Sequence, residues 1–247
     1  MTFLLLAALS ATANAEEVET LTYQLTANGQ SVGERTVTVR YLQEEYREVR
    51  LLESYTSMSL AVGKGTFAFK QRLGGQGKSP AGTFTSSVSQ SDGPKEVQAV
   101  RRSEGWFVTI VEPDHLVTET YSHRDIDGTS LTLIDPGAQG YLSGLSRLRV
   151  LAAETGTVLD GAIRAGGETS LTLGGTRVSG EVWLWSLAAG DVELVYGEAG
   201  HLLRYTMDVA GITVEALLME APEARTYGET LEVDGLINVG GIGEESL

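Results

Sequence analysis

The stretch LTLGGTRVSGEVWLWS, residues 171–186, holds two runs of alternating apolar and polar residues either side of the Gly174-Gly175 pair. Alternation at period two across a two-glycine turn reads as an antiparallel hairpin, Glu168–Leu173 against Thr176–Leu187. In a strand successive side chains leave on opposite faces, so Trp183 and Trp185 share one side and Val182 and Leu184 the other. Two of the three tryptophans of the chain therefore sit together. A strand that is apolar on both sides needs cover on both sides. That cover can be the segment 136–153, a second layer of sheet, or an acyl chain.

The same pattern continues in both directions. Downstream, Gly190 turns into Val192–Tyr196, Gly197–Gly200 into His201–Val209, and Ala210-Gly211 into Ile212–Met219. Leu203, Tyr205, Met207 and Val209 share a face, as do Ile212, Val214, Ala216 and Leu218. Upstream, Asn28-Gly29 joins Tyr23–Ala27 to the run from Val32 to Tyr41, and Asn-Gly is the strongest short hairpin signal. Val37, Val39 and Tyr41 line one face of that run. Further strands are expected over Glu48–Val62, Thr66–Arg72, Gly82–Gln90, Lys95–Arg102, Trp106–Glu112 and Leu116–Tyr121, with Leu73–Pro80 as an exposed loop. One helix is expected. Asp135 suits its N-cap and Pro136 its first turn, Tyr141, Leu145 and Leu148 recur at helical spacing, and the end falls between Leu145 and Ala153; Gly140 and Gly144 weaken the pattern, and Leu148–Ala153 fits a strand equally well. The outcome is a mainly β fold: one large, curved, antiparallel sheet, a half-barrel or open barrel, with one short helix. Residues 16–221 form a single domain, and 222–247 an acidic, glycine-rich tail with a possible strand at Thr230–Val239.

With 30 glycines against 5 prolines, the chain is rich in tight turns. A net charge of −15 excludes nucleic acid as a partner, because phosphate binding needs a basic footprint. No Lys/Arg cluster offers attachment to an anionic membrane surface. Residues 1–15, MTFLLLAALSATANA, read as a secretory signal peptide. The apolar run Phe3–Leu9 is too short to span a bilayer, and Ala13-Asn14-Ala15 supplies the cleavage pattern. Without cysteine the chain has no lipid-modified start and no disulfide framework. A periplasmic or secreted protein follows, with no integral membrane segment in the mature chain.

Motifs of chemistry are sparse. Gly74-Gly75-Gln76-Gly77-Lys78-Ser79 approaches a phosphate-binding loop, but Arg72 occupies the position of the first glycine and Pro80 follows the serine. His115, His123 and His201 are the neutral-pH acid–base candidates; His115 and His201 read as solvated turn residues. Ser122-His123-Arg124-Asp125 has the letters of a triad, but a triad is a geometry, and adjacent residues rarely face one another. Asp125-Ile126-Asp127-Gly128 lacks the spaced ligands of a calcium loop and reads as a turn. No metal and no cofactor are implied, and no catalytic residue is assigned. There remain the aromatic and Met side chains of the meander, which fill irregular apolar sites. Trp183, Trp185, Tyr205 and Met207 are the candidate ligand-binding residues.

The order of LTLIDP at 131–136, AGGETSLTLGGTRVSG at 165–180, EVWLWS at 181–186, VELVYGEAGHLLRYTM at 192–207 and GITVEALL at 211–218, with YQLTANGQSVGERTVTV at 23–39, resembles an exported bacterial β-sheet family of unknown function. More distantly it is similar to the half-barrels of lipoprotein-localisation factors, which hold acyl chains between a curved sheet and small helices. The resemblance implies a non-catalytic protein of the bacterial envelope that binds or carries an apolar, lipid-like ligand. An interaction module for an envelope protein or polysaccharide is the alternative. A hydrolase using His123 and Asp125 is the third.

Overall fold

The computed structural model describes residues 17–44, 47–63, 65–76, 82–90, 93–209 and 211–222. The signal segment, most of the acidic tail and the end of the glycine-rich 73–80 stretch lie outside them. The strands are β1 (Glu17–Ala27), β2 (Gln30–Glu44), β3 (Arg47–Val62), β4 (Gly65–Gln76), β5 (Thr83–Gln90), β6 (Gly93–Arg102), β7 (Gly105–Glu112) and β8 (His115–Tyr121). There follow β9 (Gly128–Thr129), β10 (Arg147–Leu151), β11 (Val158–Leu173), β12 (Thr176–Leu187), β13 (Gly190–Gly197), β14 (Leu202–Val209) and β15 (Ile212–Leu218). All fifteen form one sheet in the order β8-β7-β6-β5-β4-β3-β2-β1-β15-β14-β13-β12-β11-β10-β9.

Sequence neighbours pair antiparallel along each half. The long-range β1–β15 ladder, with Tyr23 opposite Leu218 and Leu25 opposite Ala216, joins the halves. Strands β8 and β9 end the order, so among the described residues the sheet stays open and does not close into a barrel. The two-residue β9–β10 pairing is parallel. The first hairpin turns where expected, with Asn28 and Gly29 both left-handed at φ 51° and 74°. Strand β4 runs on to Gln76, so Leu73–Gln76 belongs to the sheet and not to a loop.

The expected helix is replaced by two short ones and a strand. Helix α1 (Ser130–Ile134) starts at Thr129, whose amide donates to the Thr132 hydroxyl at 2.9 Å. Asp135 then stands at its C-terminus with ψ 124°, not at an N-cap. Pro136 is the cause, because its ring disfavours helical backbone in the preceding residue. Helix α2 (Ala138–Leu142) follows Gly137, which is left-handed at φ 94°. Of the two readings open for Leu148–Ala153 the strand holds at its start: Leu148 lies in β10 and pairs with Gly161.

The concave face of the sheet is folded around residues 129–157. Leu131 packs on the bare backbone of Gly75, where an added Cβ would lie 2.8 Å from its Cδ1. Arg50 on β3 is ion-paired with Asp135 at 2.7 Å. The buried Tyr196 hydroxyl on β13 donates to the Leu133 carbonyl at 2.8 Å. Gly156 packs against Ile110 and Val108 of β7, and the Gly137 amide donates to the Gly200 carbonyl at 3.0 Å. Partners drawn from β3, β4, β7 and β13 converge on one short segment, which a flat sheet could not achieve.

Candidate ligand site on the concave face

Cross-strand register assembles the candidate residues. Trp183 lies opposite Leu194, Leu194 opposite Tyr205, Tyr205 opposite Ala216 and Ala216 opposite Leu25. One step along, Trp185 lies opposite Val192, and Met207 opposite Val214. All four predicted residues thus share the concave face. Trp183, Trp185 and Tyr205 are buried in the core, whereas Met207 is half-buried. Protein covers part of the tryptophan face, since the Trp185 indole donates to the Leu148 carbonyl at 3.1 Å.

The two tryptophans differ in one respect. Trp183 is 4% exposed, and among the described residues its Nε1 has no hydrogen-bond partner. Removing the Trp185 donor breaks a buried hydrogen bond, which costs about 0.5–1.5 kcal/mol, whereas Trp183→Phe removes an already unmatched donor. Urea unfolding should therefore show Trp185→Phe clearly less stable than Trp183→Phe. Equal losses would mean that the indole bond contributes nothing.

Around Tyr205 the concave face turns polar, which sequence reading missed. Arg35 on β2 donates from Nε to the Ser54 hydroxyl and from Nη1 to the Tyr205 hydroxyl, each at 2.9 Å. Its guanidinium lies 5.6 Å from the Tyr205 ring centroid, and the Tyr23 and Tyr205 rings stand 6.4 Å apart. Register places Arg35 opposite Thr56 and Thr56 opposite Gln71. In the next row Ser54 lies opposite Leu73 and Leu73 opposite Ser86. Ser54, Thr56, Gln71 and Ser86 are all buried at 3–4% exposure, in positions that alternation alone would fill with apolar side chains. Gln71 donates to Ser86 at 3.1 Å and to Glu154 at 3.3 Å, and Ser130 donates to the other Glu154 oxygen at 3.4 Å. Burial opposes the charge of Arg35, but Tyr205, Glu154 and Tyr23 together hold its pKa above the ordinary arginine range.

Beyond this polar floor, away from residues 129–157, lies an apolar rim. Val62, Phe67, Phe69, Met207, Val209 and Ile212 are half-buried and pack against the core, with the Phe67 and Phe69 rings stacked at 6.4 Å.

The remaining candidates lie elsewhere. His201 is not a solvated turn residue: it is 2% exposed, with Nε2 2.9 Å from Glu19. Gly200, at φ 80°, turns in against Gly137 and carries the imidazole inside. His115 is exposed beside Glu112. His123 is half-buried and bonds Arg101 and the Ser103 carbonyl, while Asp125 accepts the Ser122 amide, so the two are not brought into a pair. Asp127 is engaged by the Arg149 side chain at 2.7 and 2.9 Å. Gly74 and Gly75 pair with β5 in the ladder, Gln76 ends β4 opposite Leu51, and the rest of that near-motif lies outside the described residues. Among the described residues no three His, Asp or Glu side chains converge as metal ligands, and no helix is long and apolar enough to cross a membrane.

No family model and no curated protein matches the chain. Among solved structures it is similar to the crystal structure of a beta-barrel-like protein of domain of unknown function DUF1849 from Brucella abortus. The TM-score is 0.53 at 10% identity, over 81% of this chain and 95% of that one. At that identity the likeness is one of fold alone, to a beta-barrel-like protein of unknown function.

Proposed function

We propose that the protein is a non-catalytic carrier of an apolar, lipid-like ligand in the bacterial envelope, exported by residues 1–15 and folded as one domain over 16–221. The observation that carries this reading is the half-buried apolar rim of Val62, Phe67, Phe69, Met207, Val209 and Ile212 on the concave face. Concave apolar surfaces with a few convergent polar groups are the usual form of a ligand site. Trp183, Trp185 and Tyr205 form the deeper wall, and Met207 belongs to both wall and rim. The likeness to lipoprotein-localisation half-barrels belongs to this same reading.

The test is fluorescence titration with methyl cis-parinarate, an uncharged apolar probe. The wild type binds it, and Met207→Gln and Phe69→Ser each weaken binding about tenfold, as expected for losing contact with an apolar side chain. Failure of the wild type to bind either the ester or its free acid overturns the carrier reading. Edge strand β8, with Leu116 64% exposed, favours the second reading, in which an extended segment of another envelope protein adds to the sheet.

A further inference from the structure

We propose that Arg35 is the receptor for a single anionic headgroup, so that the ligand is an amphiphile ending in a carboxylate or phosphate. This inference rests on the carrier reading and adds the charge of the ligand to it. Among the described residues Arg35 forms no ion pair: its partners are the hydroxyls of Ser54 and Tyr205. These engage Nε and Nη1 and leave Nη2 unbonded, so one arm of the guanidinium fork keeps both of its donors. Arg35 is half-buried on the inner face of the sheet, where an anion meeting its free arm gains a charge-assisted hydrogen bond shielded from bulk water. Glu154, the carboxylate that acts on it through space, is held by Gln71 and Ser130 instead.

The surroundings suit a headgroup. Ser54, Thr56, Gln71 and Ser86 give a buried floor of hydroxyl and amide groups beside the guanidinium, and the apolar rim begins in the adjacent rows. Leu25, opposite Gly33, and Gly33, opposite Met58, mark the step from the Arg35 row to the apolar one. The Met58 row continues to Phe69, so charge and apolar surface are one residue pair apart along the strands. A net charge of −15 repels free anions from the surface as a whole. An anion that arrives with an apolar tail gains burial energy at the rim that a free anion lacks. The planar fork of arginine matches both carboxylate and phosphate oxygens.

The experiment compares cis-parinarate with its methyl ester on the folded protein. Wild type binds the acid more tightly than the ester. Arg35→Met weakens the acid about 30-fold, in line with truncating one member of a buried charge pair, and leaves the ester unchanged. Arg35→Lys restores part of the preference. Glu154→Gln, which removes a competing negative charge, tightens the acid several-fold and not the ester. Displacement by oleate and by oleoyl lysophosphatidate then separates a fatty-acid source from a phospholipid one. Equal binding of acid and ester by the wild type, or a preference that survives Arg35→Met, overturns the assignment while the carrier reading stands. Binding of neither probe overturns both. Circular dichroism confirms that each variant is folded before titration.

Discussion

Arg50→Met lowers the midpoint of thermal unfolding by roughly 10 °C. Arg50 reaches from β3 to Asp135 at 2.7 Å, and the same guanidinium donates to the Pro136 carbonyl. The side chain of Asp135 is 3% exposed against 21% for Arg50, so removing the arginine leaves a buried carboxylate without its cation. Breaking a buried pair from one side costs about 3–5 kcal/mol, and a chain of this size shifts by about 2–4 °C per kcal/mol. Asp135→Asn costs less, because the stranded partner is then the more exposed Arg50. Arg50→Met with Asp135→Leu recovers much of the loss, since an apolar pair needs no charge compensation. Calorimetry on the three variants checks this order. A shift under about 2 °C for Arg50→Met would show that residues 129–157 are held by apolar packing alone.

The second large effect is alkaline. Tyr23 and Tyr196 are 1% and 0% exposed, and their hydroxyls donate to the carbonyls of Leu202 and Leu133 at 2.7 and 2.8 Å. Burial pushes both phenols well above their ordinary pKa of 10.0. The unfolded chain releases these protons near pH 10 while the folded one keeps them. Their contribution is therefore complete below pH 10 and is lost as pH rises beyond it. Each tyrosine removes about 1.4 kcal/mol per pH unit, so the pair accounts for roughly 4 kcal/mol by about pH 11.5. Urea unfolding between pH 9 and 11.5 measures the slope. Tyr23→Phe with Tyr196→Phe flattens it, even though the double variant is less stable at neutral pH through the lost donors. An unchanged slope in the double variant would assign the alkaline loss to other groups.

These effects bear on how far the sequence could be read. Strand positions are carried by local rules: Asn28-Gly29 and Gly174-Gly175 adopt left-handed φ values that favour glycine and asparagine, and each starts a new run of alternation. The concave set of Trp183, Trp185, Tyr205 and Met207 follows from the same alternation, because a side chain's face is set by parity along its strand. The helix boundary falls at a site of competing local signals. Asp135-Pro136 suits a helix start, yet Pro136 also ends the helix before it, and the carboxylate is taken by Arg50. The burial of His201 escapes local rules for a similar reason, because its turn is folded through Gly200 onto Gly137, distant in the chain.

Arg35 shares the parity of Val37, Val39 and Tyr41, so alternation places it on their apolar face, where a charged residue has no local explanation. Nothing beside it in sequence says that Ser54, Gln71, Ser86 and Tyr205 lie across the fold from it. By itself the sequence determines the strands, their turns and the face on which each side chain leaves, because these depend on neighbours a few residues apart. The β1–β15 ladder, the folding of the sheet around residues 129–157 and the polar floor beneath Arg35 depend on pairings as distant as Arg35 with Tyr205, 170 residues apart. Such contacts form only when the curved sheet brings its two halves onto one face, and no local pattern encodes that closure.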